Sequence, residues 1–226
     1  MSDIAATMTV LQLGDSFFPS GSVAFSWGLE ALSESGAVSD AGTVRSFVIG
    51  QLQARWANFD RAVAMAAYRA RKDLRAVAAI DEQVEMQTSC AEFRSASRRM
   101  GEALLSVFAR LEAPEASQYR EMIKQGAACG HVAPMQGFVW GLAGLSEADI
   151  LALSAHAFCT GLLGAGVRLG LLTHIEAQSV LIAARQEADR LTKLPLPSVD
   201  ALSSFALEAE IAAMQHVDNS SRVFAN

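Results

Sequence analysis

The sequence is poor in cysteine, proline and positive charge. Its three cysteines, Cys90, Cys129 and Cys159, form no CxxC pair and leave one over. That argues against a disulfide framework and for a reducing, cytoplasmic setting. Five prolines stand against 41 alanines, so the strongest helix breaker is scarce and the best helix former abundant. A net charge of −6 and a pI near 5.2 exclude a nonspecific nucleic-acid binder, which needs a basic surplus to displace counterions from phosphate. Hydrophobic residues make up 51% and charged residues 19% of the chain, a globular rather than a disordered composition. No signal peptide is expected at the start, because Asp3 interrupts it and no basic stretch precedes an apolar core. No charge lies between Lys124 and Glu147, or between Asp149 and Arg168. Those stretches are long enough for membrane spans, yet Gly, Ser and His break both, and Pro134 the first. A buried helical hairpin is the better expectation, with no membrane partner.

What is present reads as helix throughout. Ile4, Met8 and Leu11 recur at helical spacing, and Phe25, Leu29 and Leu32 do so again before Gly36. Asp40 is placed to cap a helix through Val44, Phe47, Val48 and Leu52. Asn58 or Asp60 is placed to begin another, and Asp73 a further one through Val77 and Val84. The clearest amphipathic stretch, 90–112, carries Phe93, Met100, Leu104, Val107 and Leu111, with Pro114 as its end. Ser146 and Asp149 have the form of a capping box. A long helix over Ile175–Leu194 halts at Pro195, and Asp200 starts the last one. No alternating strand run and no fixed repeat is found. The chain is expected to be all-α, one compact domain over 1–226 of about ten short helices, with a flexible N-terminal segment (about 1–15) and a polar C-terminal tail (about 217–226).

Catalytic signatures are missing. There is no P-loop, and Gly161–Gly166 lies in a helical context without the strand that a dinucleotide site requires; close helix packing is expected there instead. Ser26 in Ala24-Phe-Ser-Trp-Gly28 imitates a nucleophile elbow but lacks the feeding strand. A packed Ser26 is expected, with Gly28 admitting a neighbouring backbone. His156 with Cys159, and Cys129 with His131, are two pairs of soft donors suited to nickel or zinc. Two donors do not close a site, so packing is expected for both and no metal is assigned. Seven basic residues against two acidic ones over Arg45–Arg75 read as a solvated face before an acidic-partner surface.

The segment Asp15-Ser-Phe-Phe-Pro-Ser-Gly-Ser-Val-Ala-Phe-Ser-Trp-Gly-Leu-Glu30 resembles the N-terminal motif of the urease accessory protein UreF family. Pro19, Gly21, Ser26, Gly28, Leu29 and Glu30 match, while Ser22 stands at a usual Gly and Val23 at a usual aromatic. Arg94-Ser-Ala-Ser-Arg-Arg-Met-Gly101 is similar to the family's central helix, and Gly130-His-Val-Ala-Pro134 to its His-x-Pro region. Arg168–Gln178 resembles a further segment, with Gly170 at a usual Pro. Ala213-Met-Gln-His216 and Ser221-Arg-Val-Phe224 resemble the family's ending.

The resemblance implies an all-helical, cytoplasmic, non-enzymatic urease maturation factor that generally dimerises. Its partners would be the UreD-type protein (UreH in some species), the GTPase UreG and the urease apoprotein. Nickel would be delivered by the assembled complex, no cofactor would be stably bound, and hydrolysis of GTP by UreG would be modulated. Residues expected to meet partners are Phe18, Pro19, Gly21, Ser26, Gly28, Glu30, Arg94, Arg98, Gly101, Arg168, Gln178, His216, Arg222 and Phe224. Arg94 and Arg98, one helical turn apart, suit a carboxylate-rich surface. Phe17, Phe18 and Phe25 suit either the core or a partner's groove. The rival classes are a small helical serine hydrolase using Ser26 and a membrane-associated nickel transport component.

Overall fold

A computed structural model describes residues 3–19, 25–204 and 206–215. Among them are eleven α-helices and no strand: α1 (Asp3–Gly14), α2 (Leu29–Glu34), α3 (Ala41–Gln51), α4 (Arg61–Ala70), α5 (Leu74–Gln87), α6 (Ala91–Arg110), α7 (Pro114–Lys124), α8 (Val132–Leu142), α9 (Glu147–Arg168), α10 (His174–Thr192) and α11 (Leu207–Gln215). The all-α expectation holds.

Local chemistry explains the starts of four helices. Asp40 accepts from the Thr43 amide at 2.8 Å and starts α3, and Asp73 accepts from Arg75 and Ala76 to start α5. Ser146 and Asp149 form the expected capping box of α9. Thr173 and Glu176 form another at α10, which moves that helix's start ahead of Ile175. Each cap satisfies amide donors that the first helical turn leaves without partners.

Four expectations need correction. Neither Asn58 nor Asp60 begins a helix, because α3 runs into α4 through a π-helical stretch, Leu52–Asp60. The Asn58 amide turns back to the Gln53 carbonyl at 2.8 Å, and Asp60 pairs with Arg55 five residues earlier at 3.2 Å. Both contacts favour the wider turn over a break. Pro114 opens α7 at its first turn rather than ending α6, where its missing N–H costs nothing; α6 ends at Arg110, followed by Glu112 at φ 63°. Asp200 sits in a single 3₁₀ turn, Val199–Ala201, and the last helix begins at Leu207. Gly161 and Gly164 carry no close helix contact; of that glycine run only Gly166 does, against Leu172 and Val44.

Two large apolar clusters fill the interior. One joins Leu29, Val44, Val48, Trp56, Phe93, Leu162 and Val180, and the other Met65, Leu105, Tyr119, Phe138, Ile150 and Leu153. Helices α6 and α9 contribute to both and tie them together. Helix α9 alone among the described residues is long and apolar enough to cross a membrane, and half of its apolar window is buried inside the protein. Its neighbours are α1, α2, α3, α4, α8 and α10, the surroundings of a central core helix.

Two of the seven basic residues in the 45–75 run are interior. Arg55 lies over the Trp27 ring at 4.5 Å. Arg61 is 2% exposed and donates to the Leu191, Leu194 and Pro195 carbonyls at 2.6, 3.3 and 2.9 Å. It thereby caps the C-terminal end of α10 with a cation, which also complements the helix dipole. Arg61→Leu strands those carbonyls and is expected to cost about 3 kcal/mol. Urea unfolding checks this, with Arg61→Lys recovering part of the loss.

Candidate functional site

On α5, Asp81 and Glu85 are four residues apart and therefore share a face. On α6 the sequence Arg94, Ser97, Arg98, Gly101 steps by three, four and seven, which is again one face. Between these faces lies the segment Cys129-Gly-His131 that leads into α8. Asp81 is fully buried and organises the segment. Its carboxylate accepts from the amides of Cys129, Gly130 and His131 at 2.9, 2.6 and 2.8 Å, and from the Tyr119 hydroxyl at 2.9 Å. A buried carboxylate is tolerated when its lone pairs are met in this way, and the positive end of α8 adds to its stability. From the other side Ser97 Oγ accepts from the Val132 amide at 3.2 Å. Gly101 lies so close to the Gly130 carbonyl that any Cβ there would overlap it.

Glu85 is the hinge of the charges. Its Oε2 meets His131 Nε2 at 2.8 Å, while Arg94 and Arg98 both approach Oε1 at 3.5 Å. A carboxylate opposite Nε2 makes that nitrogen the donor, and Nδ1 is then a bare lone pair, buried without a partner among the described residues. Burial holds the His131 imidazole below its ordinary range, against the pull of Asp81 and Glu85. Burial first, and the two carboxylates after it, push the Cys129 thiol up to about 11. The ligand atoms of Glu85, Cys129 and His131 all lie within 4.8 Å of one another.

The structure thus gathers Arg94, Arg98 and Gly101 at one place, where the two arginines face an internal carboxylate. It puts the N-terminal motif elsewhere. Ser26 is fully buried and Glu30 nearly so, with the Glu30 amide 3.4 Å from Ser26 Oγ. A sealed serine at the start of a helix is no exposed nucleophile, which removes the hydrolase reading. Gly28, at φ 85°, admits the α11 backbone as expected: an added Cβ would sit 2.5 Å from the Ala209 carbonyl oxygen. Phe18 and Phe25 are core residues, Phe18 packing on Phe108. Phe17 is 95% exposed, and Pro19 is also exposed. Phe17 and the α1 residues Ile4, Met8 and Leu11 bring four large apolar side chains to the surface of one N-terminal segment. Arg168 is exposed in the last turn of α9, and Gln178 lies beside His156 and Cys159 in a cleft of about 550 Å³ between α9 and α10. Cys159 is buried, its thiol pushed up to about 12 by that burial. Gly21, His216, Arg222 and Phe224 lie outside the described residues.

Sequence reading passed over Asp81 and Glu85. Their four-residue spacing on one helix was the available signal, but nothing local says that their partners lie on other helices.

Among the described residues the body is all-helical, its motif serine is sealed and its buried polar groups hold backbone in place. Comparisons with known proteins give the family. The UreF family profile matches residues 38–185. A urease accessory protein UreF from Trichodesmium erythraeum is 30% identical over 232 aligned positions, covering 100% of this chain and 99% of that one. Proteins of the same name from Yersinia enterocolitica and Yersinia pseudotuberculosis are each 27% identical, covering 96% of both chains. The chain belongs to the UreF family of urease accessory proteins, and its role is in urease maturation.

Proposed function

We propose that the chain is a scaffold that binds the UreD-type protein, recruits the GTPase UreG and so takes part in delivering nickel to the urease apoprotein. Its similarity to urease accessory proteins over its whole length carries this reading. Modulation of GTP hydrolysis by UreG and homodimerisation belong to the same proposal, as does action in the cytoplasm. The four exposed apolar side chains Ile4, Met8, Leu11 and Phe17 support it, since a clustered apolar surface is what a partner covers. Co-expression with the cognate UreD-type protein and UreG, followed by size exclusion and mass measurement, tests it. A stable assembly of all three is expected, and elution apart from both partners would reject the reading.

Two variants sharpen the test. Met8→Asp alters a side chain that is 61% exposed, so it should leave the melting temperature nearly unchanged while weakening partner binding about tenfold or more. Truncation after Val217 removes Arg222 and Phe224 and is expected to act in the same way. Burial of one such Phe contributes about 2 kcal/mol to association. Binding to the UreD-type protein that matches the full chain's would remove the altered segment from the interface.

A further inference from the structure

We infer that Glu85, Cys129 and His131 form a binding site for one divalent cation of the late first transition row, of the class of Co²⁺, Ni²⁺ and Zn²⁺. A thiol, an imidazole and a carboxylate are the donor set such ions prefer over Mg²⁺ or Ca²⁺. The three donor atoms lie within 4.8 Å of one another. Tetrahedral ligands at ordinary zinc–sulfur and zinc–nitrogen lengths are about 3.3–3.8 Å apart. Rotations of the side chains, with a closure of about 1 Å, therefore suffice.

His131 Nε2 lies 2.8 Å from Glu85 Oε2, so these two donors already face one point. Nδ1, which has no partner among the described residues, is free to take the proton that Nε2 gives up to a metal. The backbone of the site is already fixed, because Asp81 holds the amides of residues 129–131. The arginines do not block the approach, since both address Oε1 of Glu85 and leave Oε2 on the His131 side. Glu85 and Cys129 are partly exposed, which opens the site to solvent. The bonding balances: the Cys129 S–H bond is exchanged for an S–metal bond and its proton leaves to water, while the His131 proton moves from Nε2 to Nδ1 as Nε2 takes up the metal. The inference rests on these donors and not on the role proposed above.

Cobalt reports the site directly. The full chain, stripped by a chelator and kept under a non-thiol reductant, is titrated with Co²⁺. A near-UV thiolate-to-cobalt absorption saturating at one equivalent per chain is expected. Cys129→Ser should abolish the band and Glu85→Gln should weaken binding about tenfold or more, while Cys90→Ser and Cys159→Ser keep both. Absence of the band, or its survival in Cys129→Ser, would overturn the site. A measurement on the unaltered chain guards against misfolded variants. Ni²⁺ should slow alkylation of Cys129 about tenfold, read by peptide mass spectrometry, with Cys90 and Cys159 unaffected. Equal alkylation with and without Ni²⁺ would likewise refute it.

Discussion

Asp81→Ala is expected to remove a large part of the chain's folding stability. The carboxylate accepts three backbone amides and one tyrosine hydroxyl in a fully buried place. Alanine leaves these donors without partners and opens a void that is too enclosed to rehydrate freely. Each stranded buried donor costs about 1–3 kcal/mol. Even with strong non-additivity the loss should exceed about 4 kcal/mol, a large part of the 5–15 kcal/mol that holds an ordinary domain. Asp81→Asn should be milder but still harmful, because its amide group turns two donors toward a ring of donors. Urea unfolding followed by circular dichroism measures the loss. An unfolding free energy within about 0.5 kcal/mol of the unaltered protein's would mean that the Cys129–His131 segment is held by something else.

Gly101→Val should be nearly as damaging, by a different route. The glycine faces the Gly130 carbonyl and the His131 backbone too closely for any Cβ, and backbone cannot rotate aside as a side chain does. Helix α6 must then withdraw from the segment it supports, loosening Ser97 from the Val132 amide. Overpacking in a tolerant core costs about 1–3 kcal/mol. Here the obstacle is main chain, and about 4 kcal/mol, or a fall of about 10 °C in melting temperature, is expected. Gly161→Ala is the control: it is mid-helix with nothing within 4 Å of an added Cβ, so it should stabilise by up to about 1 kcal/mol. Melting curves of the pair decide the matter, and equal behaviour would refute the close approach at Gly101.

These two positions mark the limit of what sequence alone could reveal. Asp40, Asp73 and Ser146 were legible because a cap and the amides it serves lie within three residues. Helical periodicity was legible for the same reason. The partners of Asp81 lie 38 to 50 residues away, and no local pattern announces such a meeting. The glycine run Gly161–Gly166 attracted a packing expectation by its density, yet isolated Gly101 and Gly137 are the ones pressed against other backbone, that of the Gly130–His131 segment and of α4 respectively. Arg94 and Arg98 were recognised as a pair, but the carboxylate that they face comes from α5. The π-helical stretch was hidden because Asn58 and Asp60 are ordinary cap residues, and only their contacts with Gln53 and Arg55 show them continuing the helix.

The Arg61 cap has a kinetic consequence. Its partners Leu191, Leu194 and Pro195 lie 130 to 134 residues along the chain, so the contact forms only after a very long loop has closed. Closing that loop has an entropic cost before the bonds can offset it. The clamp therefore belongs to the late stage of folding, after the intervening helices have docked. An interaction absent from the transition state acts on the rate of escape from the native state rather than on the rate of reaching it. Arg61 thus works as a latch: its loss should quicken unfolding while leaving the refolding rate close to that of the unaltered chain.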